Sequence, residues 1–296
     1  MSELTRRVLV GVIAAPLGVL VVFYGGWALA ALLAILSALG AWEYFRIARA
    51  AGLAPLEDVG IPLAGVAPLF VHARYLQLYE LSLSAMALAV LAILALTLFL
   101  RGVNGRPLGA AASTVFGVIY TGGMLSFAYA IRYHPYVIES VRVPLGGLAV
   151  TAGGLLLLLP LLLTWASDIG AYFVGRAFGK RKLMPSVSPG KTVAGAIGGL
   201  LATMLVGWLY ARIVLTPSTQ LAFVRGGVFI FAILVSVAAQ IGDLAESLLK
   251  REAGVKDSSH LIPGHGGILD RFDSLLFVLP VSYVLFNTLL VWAPPR

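Results

Sequence analysis

The sequence predicts an all-α, polytopic integral membrane protein with about nine transmembrane helices. Of its 296 residues, 60% are hydrophobic and only 11% are charged, whereas about a quarter of the residues in a soluble domain are charged. Apolar runs of about 18 residues or more, long enough to cross roughly 30 Å of hydrocarbon, recur along almost the whole chain. Such uniformly apolar runs are typical of helices and not of the alternating strands of a membrane barrel.

The apolar runs place nine predicted spans in order along the chain. Their approximate bounds are 8–24, 27–46, 59–73, 80–100, 108–131, 147–175, 193–212, 226–249 and 271–293. The first run follows Arg6 and Arg7 and could imitate a cleaved signal peptide. We expect it to be a retained first span, because the rest of the chain is membrane-embedded as well.

Basic residues are distributed unevenly between the two sides of this topology. With the N-terminus in the cytoplasm, 15 of the 21 Lys and Arg residues fall on the cytoplasmic side, as the positive-inside rule requires. We therefore expect a protein of the cell membrane whose N-terminus and two basic loops, at about 176–191 and 250–271, face the cytoplasm.

Carboxylates are concentrated towards the C-terminus, where seven of the 13 acidic residues follow residue 167. We interpret residues 1–140 as N-terminal scaffold helices and residues 141–296 as catalytic membrane helices with two cytoplasmic loops. The chain has no cysteine, so any metal must be bound by oxygen or imidazole.

The densest group of charged side chains lies between residues 242 and 273. It begins Gly-Asp-Leu-Ala-Glu-Ser-Leu-Leu-Lys-Arg, continues with Lys256-Asp257, and ends Pro-Gly-His-Gly-Gly-Ile-Leu-Asp-Arg-Phe-Asp. Composition alone would allow a solvated loop between two spans. Asp243, however, falls inside a predicted span, where an ionised carboxylate costs roughly 2.5 to 3.5 kcal/mol and needs a partner.

The acidic residues of this segment predict a metal site. Glu246 and Ser247 follow Asp243 at i+3 and i+4 and share its helix face, and Asp270 and Asp273 share a face of the next helix. If these pairs meet, their repulsion requires a cation between them, and their oxygens suit Mg²⁺. The predicted ligands are Asp243, Glu246, Asp270 and Asp273. The alternative is a salt-bridged cluster of these acids with Lys250, Arg251 and Arg271.

The glycine-rich turn at 264–267 precedes a predicted helix start. Its backbone N–H groups could approach a phosphate closely. His265 could donate to that phosphate or serve as a polar turn residue, and we favour both of these roles over metal ligation.

A second polar segment follows the sixth predicted span. It contains Ser-Asp-Ile-Gly-Ala-Tyr at 167–172 and Ser-Pro-Gly-Lys-Thr at 188–192. The basic residues between them are typical of a positive-inside anchor, but Asp168 inside a membrane helix indicates function. Lys191, beside a glycine, is a candidate phosphate clamp. The run is not a P-loop, because Pro185 stands where that motif has its first glycine.

Two further features receive structural interpretations. Glu43, near Trp42 and Tyr44 at the end of the second span, is interpreted as part of the interfacial belt and not as a catalytic group. Gly195 and Gly199 form a Gly-x-x-x-Gly pair, which predicts close packing of two helices.

The run from Ser247 to Asp273 resembles the signature of the phosphatidate cytidylyltransferases, also called CDP-diacylglycerol synthases. That pattern is Ser-x-x-Lys-Arg, four residues, Lys-Asp, then Pro-x-His-Gly-Gly-x-x-Asp-Arg-x-Asp, and every fixed position is present. Residues 167–199 resemble the family's second block, although Ala194 replaces an expected polar side chain.

The resemblance implies transfer of CMP from CTP to phosphatidic acid, giving CDP-diacylglycerol and pyrophosphate. It also implies Mg²⁺, allows a monovalent cation such as K⁺ beside it, and suggests a homodimer with membrane lipids and no nucleic acid as partners. By matching position, the catalytic residues are Asp243, Lys256, Asp270, Arg271 and Asp273. The predicted substrate-binding residues are Asp168, Ser188, Lys191, Thr192, Lys250, Arg251, His265, Gly266 and Gly267.

The residues fit this chemistry, because two polyanions must be neutralised and held in line, and no protein nucleophile is required. A CTP-dependent lipid kinase and an ether-lipid cytidylyltransferase are chemically close alternatives. The Asp-Gly-x-x-Ala-Arg signature of CDP-alcohol phosphotransferases is absent from the sequence. A transporter would also use membrane carboxylates, but the repeated halves common in transporters are absent as well.

Overall fold

A computed structural model describes residues 3–79, 83–137, 142–145, 148–262, 264 and 266–293. The chain forms two compact units. Unit 1 comprises Met1–Val21, Gly25–Tyr129 and Leu248–Phe272, and unit 2 comprises Val22–Tyr24, Ala130–Ser247 and Asp273–Arg296. In this division the segment from Leu248 to Phe272 belongs with the N-terminal helices. The predicted division into a scaffold before residue 140 and catalytic helices after it stays a prediction.

Helices make up most of the described chain, which confirms the predicted all-α class. The helices are α1 (Glu3–Tyr24), α2 (Gly26–Ala50), α3 (Glu57–Tyr75), α4 (Leu83–Arg101), α5 (Pro107–Val118), α6 (Met124–Arg132), α7 (Ala152–Phe178), α8 (Val193–Tyr210), α9 (Thr216–Thr219), α10 (Gly227–Glu252) and α11 (Leu269–Leu289). Two π-helical turns, Ile119–Gly123 and Ala211–Leu215, join α5 to α6 and α8 to α9.

Among the residues that the structure describes, three short antiparallel strand pairs accompany the helices. The strands are β1 (Arg142–Leu145), β2 (Leu148–Thr151), β3 (Lys182–Met184), β4 (Ser188–Thr192), β5 (Leu221–Phe223) and β6 (Leu290–Trp292). β1 pairs with β2, β3 with β4, and β5 with β6. The β3–β4 hairpin carries the Ser-Pro-Gly-Lys-Thr run.

Seven helical segments among the described residues are long and apolar enough to cross a membrane. They are Gly26–Ala50, Ser84–Arg101, Pro107–Arg132, Ala152–Phe178, Val193–Thr219, Gly227–Glu252 and Leu269–Leu289. A polytopic membrane protein is therefore confirmed, but the count of nine is not. The third predicted span forms α3, which has Glu57 and Asp58 in its first turn, and the first contributes a shorter apolar stretch, Gly11–Tyr24.

In unit 1, α2 packs closely against α3 and α5 around Phe45, which is fully buried. A Cβ atom added at Gly60 would lie 2.4 Å from the Phe45 ring, and one at Gly117 would lie 2.6 Å from it. The two glycines thus form the slot that receives this ring. This packing fixes the C-terminal half of α2, which carries Glu43.

In unit 2, α7 and α8 pack along a line of small residues. A Cβ at Gly195 would meet the Ala171 carbonyl oxygen at 2.8 Å, and one at Gly199 would meet the Ser167 carbonyl oxygen at 2.8 Å. The close packing predicted from Gly195 and Gly199 is therefore confirmed. Thr192 is the N-cap of α8, and its hydroxyl accepts a hydrogen bond from Gly195 N at 3.1 Å, the usual geometry of such a cap.

Candidate active site

Unit 2 contains a cleft of about 620 Å³ beside the α7–α8 seam and the β3–β4 hairpin. Its polar and charged lining residues are Ser167, Asp168, Tyr172, Arg176, Lys182, Lys191, Thr192, Gln240 and Asp243. Three cations and two carboxylates therefore face one cavity. Such a lining suits a polyanionic ligand accompanied by a cation.

Lys191 and Asp243 form an ion pair at this cleft. Lys191 Nζ lies 2.6 Å from Asp243 Oδ2, and the two side chains are 25% and 36% exposed. Lys191 is held there because the next residue, Thr192, caps α8. Ser247 Oγ donates to Asp243 Oδ1 over a longer distance of 3.4 Å. The predicted phosphate clamp and a predicted metal ligand are thus neighbours.

The other predicted residues of the second segment are placed differently. Asp168 lies on α7 and lines the cleft, as does Arg176, which donates to the Tyr172 hydroxyl at 2.9 Å. Ser188 lies on β4 opposite Met184, outside the cleft lining. The structure therefore brings Asp168, Lys191 and Thr192 together but leaves Ser188 apart.

In unit 1, Asp270 accepts several hydrogen bonds near the start of α11. Lys250 Nζ lies 2.6 Å from Asp270 Oδ1, and these side chains are only 13% and 6% exposed. Gly267 N donates to Oδ2 at 2.8 Å, and Ser258 donates to Oδ2 from both its N and its Oγ at 3.0 Å. The contact with Lys250 belongs to the salt-bridged cluster that the sequence allowed as an alternative to the metal.

Glu43 is fully buried, so its interpretation as an interfacial residue was wrong. The hydroxyls of Ser258 and Ser259 donate to it at 2.9 and 2.5 Å, and the amides of Ile268 and Leu269 donate at 2.9 and 2.6 Å. Sequence reasoning missed this group. The sequence did indicate it, because Glu43 lies inside a predicted span. A carboxylate in such a span needs a partner, as the sequence analysis argued for Asp243.

The two glycines before α11 serve close packing in this structure. Gly266 has φ +82°, a left-handed conformation that favours glycine. A Cβ at Gly267 would lie 2.0 Å from Ser258 Oγ and 2.5 Å from Glu43 Oε1. Backbone amides at this helix start already donate to the chain's own carboxylates, Glu43 and Asp270. A role of Gly266 and Gly267 in substrate binding stays a prediction.

The remaining predicted residues fall into three groups. Arg251, Lys256 and Arg271 are exposed. Glu246 is fully buried, while Asp273 is partly buried and accepts a hydrogen bond from Ser274 N at 2.6 Å. His265 lies outside the described residues.

The predicted metal ligands are divided between the units. Asp243, Glu246 and Asp273 belong to unit 2, and Asp270 belongs to unit 1. Within unit 2, a Cβ at Gly242 would meet the Asp273 carbonyl oxygen at 2.7 Å, so α10 and α11 approach closely there. In neither unit do the described residues gather three His, Asp or Glu side chains as a metal-binding group. The metal stays a prediction.

Comparison with known proteins identifies the family. A sequence model described as the cytidylyltransferase family matches residues 5–289. The chain belongs to the cytidylyltransferase family. This family member is 32% identical over 290 residues to the phosphatidate cytidylyltransferase of Bacillus subtilis, covering 96% of this chain and 98% of that protein. It is 31% identical over 297 residues to that of Synechocystis sp., covering 94% and 95%.

A shorter and stronger match covers part of this cytidylyltransferase-family chain. It is 48% identical over 138 residues to the phosphatidate cytidylyltransferase of Haemophilus influenzae. That alignment covers 46% of this chain and 48% of the relative, about half of each. Family membership therefore rests on the matches that cover nearly the whole chain.

Proposed function

We propose that this chain is a phosphatidate cytidylyltransferase, which transfers CMP from CTP to phosphatidic acid and releases pyrophosphate. The observation that carries the proposal is the cleft of unit 2. Arg176, Lys182, Lys191 and Asp243 face one cavity among helices long enough to cross a membrane. The relatives named above carry the name of this activity, and the signature segment supports the same chemistry.

In the proposed reaction, a phosphate oxygen of phosphatidic acid attacks the α-phosphorus of CTP. The bond between the α-phosphorus and its bridging oxygen to the β-phosphate breaks, and pyrophosphate leaves. Negative charge is present on both reactants and on the leaving group. Lys191, Arg176 and Lys182 bind and orient these phosphates, and fixed cations of this kind stabilise charge without reorganising during the reaction.

We include Mg²⁺ in the proposal, since Asp243 fits such an ion. Its carboxylate is partly exposed at the cleft, and among the described residues one of its two oxygens has only the long contact with Ser247. Mg²⁺ is usually held by one or two carboxylates and by substrate phosphates, so a cage of three protein carboxylates is not needed. When bound, the ion would supply Lewis-acid neutralisation of the phosphate oxygens.

Asp270 is the second proposed ligand, but its surroundings are different. Lys250, two amides and one hydroxyl already contact its oxygens, while an ionised carboxylate offers about four lone-pair sites. A metal at Asp270 would therefore have to replace the Lys250 ammonium. We propose this exchange of one cation for another at Asp270.

The proposal places the basic loops in the cytoplasm, where CTP is present. Ser186 and His260 are exposed residues of the two loops. Because the chain has no cysteine, single cysteines at these positions report sidedness directly. Labelling of either position by an impermeant reagent from outside intact cells would contradict this orientation.

Pyrophosphate release by the purified protein in detergent tests the proposal. Release should require CTP, phosphatidic acid and Mg²⁺ together, because the two polyanions react only when they are neutralised in one site. Release at full rate without the lipid would contradict the transfer reaction.

A further inference from the structure

Four hydrogen-bond donors are directed at Glu43, which is 0% exposed. Oε1 accepts from Ser259 Oγ and Ile268 N, at 2.5 and 2.9 Å. Oε2 accepts from Ser258 Oγ and Leu269 N, at 2.9 and 2.6 Å. Each oxygen therefore receives one hydroxyl and one backbone amide. Without such donors a buried carboxylate would be strongly disfavoured.

These four donors come from both ends of one loop. Ser258 and Ser259 lie shortly after α10, whereas Ile268 and Leu269 lie at the start of α11. A single side chain of α2 thus holds the two ends of the segment 258–269 together. We call its described residues, 258–262, 264 and 266–269, the signature loop.

The same contacts reach Asp270. Ser258 Oγ lies 2.9 Å from Glu43 Oε2 and 3.0 Å from Asp270 Oδ2, so its single proton is shared between the two carboxylates. Ser258 N also donates to Asp270 Oδ2 at 3.0 Å. Any movement of Ser258 away from Glu43 would therefore move a donor of Asp270.

The close contact at Gly267 indicates that this arrangement tolerates little displacement. A Cβ at that position would lie 2.5 and 2.6 Å from the two Glu43 oxygens. Only glycine allows the chain to pass this close to the carboxylate. The loop is therefore packed directly on Glu43 and not merely linked to it.

We propose that Glu43 is a positioning residue that holds the signature loop, and through Ser258 the carboxylate of Asp270, in the arrangement needed for the reaction. This inference rests on the proposed function, because Asp270 is assigned to the reaction there. Glu43 itself does not touch the substrate. Its contribution is to fix the position of Asp270, the proposed metal ligand.

The substitution Glu43→Gln tests the geometry most sharply. One carboxylate oxygen becomes an NH₂ group, which faces one hydroxyl and one backbone amide. The hydroxyl can turn and accept, but the backbone amide cannot, so one N–H is left facing another N–H. We expect kcat to fall by about 100-fold, the loss that a displacement of about 1 Å can cause, while KM for CTP stays close to that of the parent.

A second readout needs neither substrate nor metal. A spin label on a cysteine at His260, an exposed residue of the signature loop, reports the mobility of that loop by its EPR line shape. Labelled parent protein should give the spectrum of a restrained loop. Glu43→Gln should give a mobile one, because two of the four anchoring contacts face the altered atom.

Two other variants serve as comparisons. Asp58→Asn removes an exposed carboxylate of unit 1, far from the signature loop in sequence, and should keep parent values of kcat and label mobility. Ser259→Ala removes one of the four donors and leaves the contacts of Asp270 intact. It should change both readouts in the same direction as Glu43→Gln, but by less.

The outcomes separate the two proposals. An inactive parent would overturn the proposed function. With an active parent, a Glu43→Gln protein that keeps the parent kcat overturns the positioning role, whether or not the label becomes mobile, and so does a loss of kcat with an unchanged spectrum. If Glu43→Gln fails to insert, Ser259→Ala decides, and parent values in both readouts would contradict the inference.

Discussion

Lys191 and Asp243 lie 2.6 Å apart at the cleft of unit 2, although 52 residues of sequence separate them. The contact places a cation and an acid at the position where the proposed reaction needs both. The two side chains remain partly exposed, but the Lys191 nitrogen itself is buried. Water therefore screens the pair only in part.

Lys191→Met should damage activity far more than stability. The substitution removes the buried ammonium together with its charge and leaves Asp243, whose side chain is 36% exposed, in contact with water, so the melting temperature should barely change. A charged hydrogen bond to a phosphate contributes about 1.5 to 3 kcal/mol, which corresponds to a fall in kcat/KM of about 10- to 150-fold. Steady-state kinetics and thermal melts of the purified variant measure both quantities.

Lys180→Met is the matched control, since Lys180 is exposed and lies outside the cleft lining. It should keep the parent kcat/KM. Equal losses in the two lysine variants would indicate a general effect of basic charge and would contradict the specific role of Lys191.

Asp270→Asn and Asp243→Asn should differ in stability although both should abolish turnover. Removing the Asp270 charge breaks its nearly buried ion pair with Lys250 at 2.6 Å, and breaking a buried pair typically costs about 3 to 5 kcal/mol. Removing the Asp243 charge leaves Lys191, whose side chain is 25% exposed and can reach water more easily than that of Lys250, which is 13% exposed. Melts in detergent should show a large loss for Asp270→Asn and little change for Asp243→Asn.

Two additions make that comparison sharper. Lys250→Met in the Asp270→Asn background should recover much of the stability but no activity. Mg²⁺ should raise the melting temperature of the parent, as ligand binding requires. If an inactive Asp243→Asn protein keeps the full Mg²⁺-dependent shift, Asp243 is not a ligand of that ion.

The fold class and most helices were predictable because spanning the membrane constrains composition so strongly. The apolar run at 27–46 corresponds to α2, and that at 226–249 corresponds to α10. The count was less predictable. α3 forms a helix as expected. Its first turn is charged, however, and its last turn contains a histidine and an arginine, so α3 is not among the seven described segments that are long and apolar enough to cross a membrane.

The site was predictable only in part. The cost of charge within a span correctly indicated that Asp243 needs a partner, which is Lys191, but the N-cap that Thr192 forms next to Lys191 was not predicted. The role of Glu43 was not found. Its donors lie 215 to 226 residues away, and no local pattern connects them. The bound metal, the monovalent cation and the homodimer stay predictions.

Gly267→Ala should destabilise the protein and abolish activity. The new methyl group would lie 2.0 Å from Ser258 Oγ and 2.5 Å from Glu43 Oε1, so the loop or α2 would have to move. Gly18→Ala is the control, because nothing lies within 4 Å of a Cβ there and alanine favours a helix. The melting temperature should fall for Gly267→Ala only, and equal melts would contradict the packing described here.

His134 should make the stability depend on pH. It is 1% exposed, its Nε2 lies 3.1 Å from Asn287 Oδ1, and Tyr136 N donates to its Nδ1 at 3.3 Å. Burial lowers the pKa of His134, and the bond to Asn287 opposes this only in part. The unfolded chain therefore takes up a proton on His134 at higher pH than the folded protein does. The contribution of His134 to stability is fully present above about pH 6.5 and decreases as the pH falls below that value.

Thermal melts between pH 7.5 and 5.5 check this sign. The parent should lose melting temperature on acidification more steeply than His134→Asn, which has no titrating group at that position. Identical slopes for the two proteins would contradict a buried neutral His134.

The proposed activity is tested most directly by asking which phosphate of CTP, the α or the γ, is transferred to the lipid. Purified protein is incubated in detergent with phosphatidic acid, Mg²⁺ and CTP labelled with ³²P in either the α- or the γ-phosphate, and the lipid is then extracted. A cytidylyltransferase transfers the α-label to the lipid and leaves the γ-label in pyrophosphate, so we expect only the α-label in the organic phase. A γ-label in the lipid would indicate a lipid kinase, and no label in the lipid from either CTP would contradict the transfer of CMP.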